Sequence, residues 1–153
     1  MAIIENPRKQ FNFSIFAPGL NPFLAQKVTI PDMETDVVTH GDTNYLVKTG
    51  GLLKVGTLTI EKIAQATGPD SWVWAWIFQV QDAFAGGGLL PSIYKKTIEI
   101  QHFSVDGATV IDRWVCYNAY PSKVNGIELS RVDSNNTMEN CEFQVDRVKK
   151  IPL

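Results

Sequence analysis

The sequence predicts a mainly β fold: a two-sheet antiparallel β-sandwich or barrel with one packed α-helix at about residues 70–84 and a long loop at residues 31–51. Two observations predict it. Apolar and polar residues alternate with a period of two through most of the chain, as they do in half-buried strands. One Trp-rich segment breaks this pattern and shows helical spacing instead. The 153 residues are 44% hydrophobic and 20% charged, so we expect residues 1–153 to form one globular domain.

The first strands are predicted by clean alternation. Gln10–Ile15 alternates polar and apolar residues, and Gln26–Ile30 repeats the pattern until Pro31 ends it. Leu52–Ile63 is long enough to cross a domain, and its apolar phase shifts at Gly56. A glycine at a phase shift indicates a bulge or a bend in the strand.

A hairpin is predicted around Asp106-Gly107, a pair that favours a type I′ turn. The flanking strands would be Thr97–Val105 and Thr109–Asn118. The register of a two-residue turn then places Ile98 opposite Val115, Phe103 opposite Val110 and Glu99 opposite Trp114.

The last clear strand alternates Cys141, Phe143 and Val145 with Glu142, Gln144 and Asp146. One of its faces should therefore be core and the other wet. The cysteines, Cys116 and Cys141, are interpreted as small buried hydrophobes in strands rather than a disulfide framework.

The segment Gly68–Phe84 is predicted to be an amphipathic helix that seals the open side of a sheet. It begins with breakers and a capping residue, Asp70 or Ser71, and it ends at Gly86-Gly87-Gly88. The residues expected to pack on the core from one helical face are Trp72, Trp76, Ile77 and Val80, together with Val73. A membrane-inserting wedge is the alternative, but the flanks lack the Lys and Arg residues of such helices.

The segment from Pro31 to Gly51 shows no strong period and is predicted to be a loop of about twenty residues. Structureless loops longer than about 12–15 residues are uncommon in compact domains and are usually functional or disordered. This one contains Val37, Val38, Tyr45, Leu46 and Val47, which indicates that a partner covers it.

No catalytic residues, metal ligands or cofactor are predicted, and we expect the protein not to be an enzyme. His40 and His102 show no metal-ligand spacing with cysteine or with each other. Asp32, Glu34, Asp36 and Asp42 form an acidic run without the central glycine of an EF-hand, so a solvated or interface cluster is preferred over calcium. The net charge of −2 argues against affinity for nucleic acid. Neither a signal peptide nor an apolar run long enough to span a membrane is seen.

The C-terminal third resembles the closing region of myophage tail tube proteins. The resemblance rests on Asn118-Ala119-Tyr120-Pro121-Ser122-Lys123, then Gly126-Ile127-Glu128-Leu129, then Glu139 at the start of a last strand. Upstream, the order of elements is similar over nearly the whole chain. It consists of a strand with Phe11 and Phe13, a long loop ending near Gly50-Gly51, a strand ending near Glu61-Lys62, and a helix with Trp72 and Trp76.

The resemblance implies a structural subunit of a contractile-tail phage. Six subunits would form a ring, rings would stack into a hollow tube, and the inner sheets would join into one barrel around the lumen. DNA and the tape-measure protein would pass through without specific binding. The partners implied are other copies of the chain, the sheath, the baseplate, the tail-terminator and the tape-measure protein. The protein would belong to the virion tail and be assembled in the cytoplasm of the bacterial host.

Two sets of residues follow as expected assembly sites. In the family an extended loop reaches the adjacent ring, and the corresponding residues here are Asp36, Val37, Val38, His40, Asp42, Tyr45 and Leu46. The candidates for the lumen wall are Glu142, Gln144, Asp146, Glu99 and Gln101, with the outer surface of the tube as the alternative. The segment Trp114–Asn136 would then serve to turn a corner and to present strand edges and a loop to neighbours.

Three other functions stay open at this point. The same fold could serve a genome-free device, such as a bacteriocin or a secretion-system tube, and the genes next to this one would distinguish the two. A small-molecule-binding β-barrel capped by the Trp-rich helix would need inward polar groups, whereas the strand interiors consist of Phe, Ile, Val and Leu. A hydrolase on a jelly-roll scaffold is the third.

Overall fold

The computed structural model describes residues 12–17, 25–41, 44–63, 72–82, 86–125, 129–132 and 138–152. The strands in this part are β1 (Phe13–Phe16), β2 (Ala25–Thr29), β3 (Met33–Gly41), β4 (Leu46–Val55), β5 (Thr57–Ile63), β6 (Lys96–Phe103), β7 (Val110–Val124), β8 (Met138–Gln144) and β9 (Arg147–Pro152). The helices are α1 (Trp72–Val80) and α2 (Pro91–Tyr94).

The strands form two antiparallel layers that share β7. One layer has the order β1-β6-β7-β9, and the other has the order β2-β5-β8-β7. The N-terminal half of β7 pairs with β6 and β9, whereas Tyr120–Val124 pairs with β8. We call these the β6 layer and the β8 layer.

Strand β7 passes from one layer to the other by bending near Asn118. Among the described non-glycine residues only Asn118 has a positive φ, of 55°, a conformation that Asn tolerates better than most residues. The ladder to β6 shifts register here, because Tyr117 and Asn118 together oppose Thr97. A second shift lies at Ser122, between the pairs that Pro121 and Lys123 make with β8. Such bulges bend a strand and increase its twist, so this segment forms the corner of the sandwich.

One hydrophobic core lies between the layers. Ile98 and Ile100 from β6 meet Ile60 and Phe143 from β5 and β8 in the same buried cluster. Helix α1 contributes Val73 and Trp76 to this cluster and packs on β7. The Trp76 ring lies 5.5 Å from the Phe143 ring, and its Nε1–H donates to the Tyr94 carbonyl.

Several predictions about the elements are confirmed. Helix α1 lies inside the predicted range, and Gly56 separates β4 from β5. Burial alternates from Cys141 to Asp146 with the expected phase. Cys116 and Cys141 are buried thiols, in β7 and β8. Residues 10 and 11 of the first predicted strand and the capping candidates Asp70 and Ser71 lie outside the described residues.

The prediction of an irregular loop over residues 31–51 is wrong. Strands β3 and β4 pair antiparallel from Met33↔Val55 to Gly41↔Leu46 and form a long hairpin. It continues the β2–β5 pair, since Gly56 N–H donates to the Asp32 carbonyl at 2.7 Å where the two ribbons meet. The period-two signal is weak because most side chains on both faces of this ribbon are exposed, so neither face has to be apolar throughout.

The β6–β7 connection also differs from the prediction. Phe103 lies opposite Val110 as expected, but Glu99 lies opposite Val115 and Ile98 opposite Cys116. The one-residue difference comes from a bulge, because Ile111 is inserted between the partners of His102 and Phe103.

The turn itself is not type I′. Such a turn needs positive φ at both central residues, whereas Gly107 has φ 73° and Asp106 is not in the left-handed region. The Asp106 carboxylate instead accepts hydrogen bonds from the Ser104 hydroxyl and from the Ala108 and Thr109 backbone N–H groups. These bonds lower the pKa of Asp106, with the Ser104 bond as the largest cause.

Candidate assembly surfaces

The hairpin of β3 and β4 stands out from the rest of the subunit. The two strands contact each other along their length but share only slight contact with other described elements. Its large apolar side chains are exposed by between 38% and 78%: Met33, Val37, Val38, Tyr45, Leu46, Val47, Leu52 and Leu53. An isolated two-stranded hairpin is marginally stable in water, and an exposed apolar set of this size marks an interaction surface.

The hairpin is bent at a bulge near its middle. Between Thr35↔Leu53 and Val37↔Gly50, strand β3 has one residue, Asp36, where β4 has two. A Cβ on Gly51 would lie 2.9 Å from the Asp36 Cβ, so only glycine fits there without a shift. The Asp36 carboxylate forms an ion pair with Lys54 at 2.9 Å, which links the strands next to the bulge.

The residues predicted for the ring-to-ring contact are nearly all brought together on this hairpin. Val37, Val38 and His40 are exposed on β3, and Leu46 starts β4. Tyr45 lies in the turn, Asp36 lies at the bulge, and Asp42 is outside the described residues.

The five lumen candidates do not share one surface. Glu142 and Gln144 point away from the core on β8, whereas Glu99 and Gln101 point away from the core on β6, in the other layer. Asp146 lies in the connection between β8 and β9, where its carboxylate pairs with Lys95 at 3.0 Å. This hydrogen bond is the largest cause that raises the pKa of Lys95. The outer faces of two packed layers point in opposite directions, so at most one group can line a channel.

The outer face of the β8 layer is mainly polar, although the register also places Met138 and Tyr120 on it. The register places the following residues on it: Lys27, Thr29, Thr57, Thr59, Glu61, Lys123, Asn140, Glu142 and Gln144. Its charges are balanced locally, because Lys27 lies opposite Glu61 and Lys123 lies opposite Glu142. Gln144 Nε2 donates to the hydroxyls of Ser122 and Thr57 at 3.4 and 3.5 Å. This face is therefore suited to contact with solvent.

The outer face of the β6 layer is mixed and basic. It carries Arg113, Tyr117, Arg147 and Lys149, with Glu99 next to Arg113 at 3.5 Å. Exposed apolar side chains also lie near α1, including Phe78, Leu89, Leu90 and Ile93. The two layers thus present chemically different surfaces.

Each layer has strand edges that the described part of the subunit leaves unpaired. In the β8 layer these are the outer side of β2 and the free side of Tyr120–Val124. In the β6 layer they are the outer sides of β1 and β9. Unpaired edges are templates for another chain. Pro121, which has no N–H, is compatible with such an edge.

The corner is held by contacts around Tyr120. Its ring meets the Tyr94 ring edge-on at 5.6 Å, and Lys95 Nζ lies 5.8 Å from its centre. The segment Trp114–Asn136 thus turns a corner as expected in its described part, while residues 126–128 and 133–136 lie outside it.

The interior is more polar than the sequence indicated. Lys62 and Glu139 are opposite each other on β5 and β8, both buried, with Nζ 3.0 Å from Oε2. Asp112 is also buried, 3.9 Å from Lys150 Nζ. Alternation of apolar and polar residues did not predict these buried charges, because it assigns apolar side chains to the inward strand positions that these residues occupy.

Three other chemical features of the described residues are a cleft, a buried thiol and the distribution of possible metal ligands. A cleft of about 580 Å³ is lined mainly by Phe13, Val28, Ile30, Ile100 and Trp114, with His102 at its wall. Burial raises the pKa of the Cys116 thiol to about 11. Over the described ranges, no three His, Cys, Asp or Glu residues are placed to hold a metal ion. No helix within those ranges is both long and apolar enough to cross a membrane.

Comparison with known proteins identifies the chain. The family described as T4-like virus tail tube protein gp19 matches residues 9–149. A comparison with curated proteins finds no match.

Solved structures share the fold. A chain of the anti-feeding prophage cap, described as the AFP tube terminating cap, is 17% identical with a TM-score of 0.81, covering 100% of this chain and 96% of that one. A chain of the PVC sheath/tube terminator of an extracellular contractile injection system is 18% identical with a TM-score of 0.79, covering 97% and 99%. The PVC sheath-tube complex in the extended state contains a chain at 16% identity and a TM-score of 0.75, covering 98% and 95%.

Together, the β-sandwich with its projecting hairpin and the family match define a tube protein. The chain belongs to the T4-like virus tail tube protein family. It is a structural subunit of a tail tube.

Proposed function

We propose that six copies close into a ring through the β8 layer and that these rings stack into a hollow tube. The observation that carries this is the pair of free edges in that layer, on β2 and on Tyr120–Val124. Pairing of one edge with the other in the next copy repeats around an axis and leaves no edge of the β8 layer exposed.

The expected size of the channel follows from strand spacing. Six copies of a four-stranded layer give about 24 strands, and a spacing of about 4.8 Å gives a barrel about 37 Å across between backbones. Strand tilt widens the barrel further, and inward side chains narrow it. Such a channel is wide enough for a macromolecule to pass.

The outer face of the β8 layer is the proposed channel wall, with Glu142 and Gln144 among its residues. It is mainly polar, and its lysines lie opposite glutamates. A basic wall would bind phosphates and hold DNA back, whereas a charge-balanced wall would let DNA and the tape-measure protein pass. Glu99 and Gln101 would then lie on the outside of the tube.

The hairpin is the proposed ring-to-ring contact. Its exposed apolar residues would be covered by the adjacent ring, with the charged residues at the rim. The sheath is the proposed partner on the outer surface, and the baseplate and tail terminator are the proposed partners at the two ends of the tube. Assembly would take place in the cytoplasm of the bacterial host, before the tube becomes part of the virion.

The test is electron microscopy and light scattering of concentrated protein. We expect rings with a central hole, or tubes, and a matched variant with residues 36–45 replaced by a short Gly-Ser linker should form rings without stacking. A stable monomer over a wide range of concentrations would contradict the proposal.

A tube of a genome-free injection system is the second candidate. The observation that favours it is the similarity to chains from extracellular contractile injection systems and from a type six secretion system. The neighbouring genes distinguish the two, because capsid and terminase genes are needed only where DNA is packaged.

A further inference from the structure

Strand β9 presents a short basic ladder on a free edge. Arg147 and Lys149 are exposed and lie on the same face, since they are two residues apart in a strand. Arg147 stacks on Tyr117 at 5.6 Å, and Lys149 has no acidic partner within the described part of the subunit. In the same part of the chain, β9 pairs with β7 on one side and with no strand on the other.

Strand β3 presents the complementary acidic ladder. Glu34 and Asp36 are two residues apart in β3 and therefore share a face, and Asp32, which precedes the strand, continues the same spacing. Lys54 lies opposite Glu34 in the register and forms an ion pair with Asp36, so one lysine faces two carboxylates, and Glu34 remains exposed. Strand β3 also has a free side, because it pairs with β4 alone among the described strands.

We propose that β3 of one subunit adds to the free edge of β9 in a subunit of the adjacent ring, with Glu34 and Asp36 opposite Lys149 and Arg147. This rests on the proposed stacking of rings and names the surface that receives the hairpin. Main-chain hydrogen bonds would satisfy both free edges, and opposite charges at matching spacing would fix the register.

The edges that remain free favour an adjacent ring over the subunit's own neighbours in the ring. Glu34 and Asp36 lie in the half of β3 nearest the body of the subunit, since Met33 pairs with Val55 at the root of the hairpin. Ring closure already uses the edges of the β8 layer, whereas β9 belongs to the β6 layer and stays available.

A charge-exchange experiment tests the pairing. The variants Glu34→Lys and Lys149→Glu should each raise the concentration at which tubes form by about fivefold or more. The double variant Glu34→Lys/Lys149→Glu should bring it back to within about twofold of the native value. The control Arg131→Glu reverses an exposed charge that belongs to neither strand and should change nothing.

A cross-linking experiment tests the geometry independently of charge. The native cysteines are buried, so oxidation of a Glu34→Cys/Lys149→Cys variant should join only the introduced thiols. Contact between rings should give a ladder of linked subunits that continues beyond six, and either single cysteine should give none.

The outcomes separate this inference from the proposed function. If hairpin replacement abolishes stacking while the two charge reversals simply add and no ladder forms, the inference is wrong and stacking by the hairpin stands. A ladder that ends at six would place the contact within a ring and would also overturn it. If the native protein forms no rings at all, the proposed function itself fails.

Discussion

The buried ion pair between Lys62 and Glu139 gives the sharpest test of the fold. Both side chains are almost inaccessible, at 0% and 2%, and they join β5 to β8 in the proposed channel layer. Removal of one partner leaves a buried charge without compensation, which typically costs about 3–5 kcal/mol. Lys62→Met alone and Glu139→Leu alone should each lower the unfolding free energy by this amount.

The double variant should behave differently. Replacement of both partners by apolar residues of similar volume is often neutral or stabilising by about 1–4 kcal/mol. Glu139 Oε1 is buried without a hydrogen-bond partner in the described part of the chain, so the native carboxylate is incompletely satisfied. We therefore expect Lys62→Met/Glu139→Leu to be at least as stable as the native protein within about 1 kcal/mol.

The chain offers a matched control. Lys54 and Asp36 form an ion pair of nearly the same length, 2.9 Å, but their side chains are 65% and 44% exposed. Exposed pairs contribute about 0–1 kcal/mol, so Lys54→Met should have little effect on the subunit.

Urea denaturation at a fixed protein concentration below the onset of assembly measures these differences, because assembly itself would stabilise the subunit. For a chain of this size, the single variants should melt about 6–20 °C lower. If Lys62→Met costs no more than Lys54→Met, water reaches the pair and the buried arrangement is wrong.

Four further outcomes are expected. Trp76→Ala should destabilise the subunit by about 3–5 kcal/mol, because it empties a core site and removes the bond to the Tyr94 carbonyl; an unchanged melting temperature would mean that Trp76 is not in the core. Asp106→Asn should destabilise the subunit near neutral pH. Its folded pKa is lowered, so this cost should be constant above the unfolded pKa of about 3.9 and shrink as the pH falls below it; a pH-independent cost in urea titrations would exclude the ionised form as the cause. Replacement of residues 36–45 by a Gly-Ser linker should leave the circular dichroism of the body intact and abolish stacking, and normal tubes would leave the hairpin without this role. Tubes of Glu61→Lys/Glu142→Lys should co-sediment with DNA in a salt-dependent way while native tubes do not, because the channel wall becomes basic; DNA bound only to the outside of the variant tubes would contradict the assignment of the wall.

Alternation predicted the strands that enclose the core and failed where no core constrains the chain. Val28 and Phe143 must point inward, so their strands carry a clear period of two. In the hairpin, Val37 and Val38 are adjacent and both exposed, and the pattern disappears because neither face of this ribbon has to be apolar within the subunit.

Local chemistry set other limits on prediction from the sequence. Asp106-Gly107 marked a turn correctly, but the hydrogen bonds of the Asp106 side chain select a longer turn than the expected two-residue form. Pro121 was expected at a corner and lies there. Strand β7 nevertheless continues past it to Val124, since an edge tolerates a residue without N–H.

The candidate residues for the channel wall could be reduced to one layer only once the strand order was known. Alternation shows that Glu142 and Glu99 both point away from the core, but it does not show that β8 and β6 lie in different layers. The order follows from pairing between distant segments, such as Thr57 with Gln144. A single sequence carries little signal for such pairs.

Cryo-electron microscopy of assembled tubes tests the central claim most directly. We expect rings of six subunits around a channel, with Glu142 and Gln144 of the β8 layer facing the channel and the hairpin reaching the next ring. A channel lined by Glu99 and Gln101 of the β6 layer, or a protein that stays monomeric at every concentration, would contradict it.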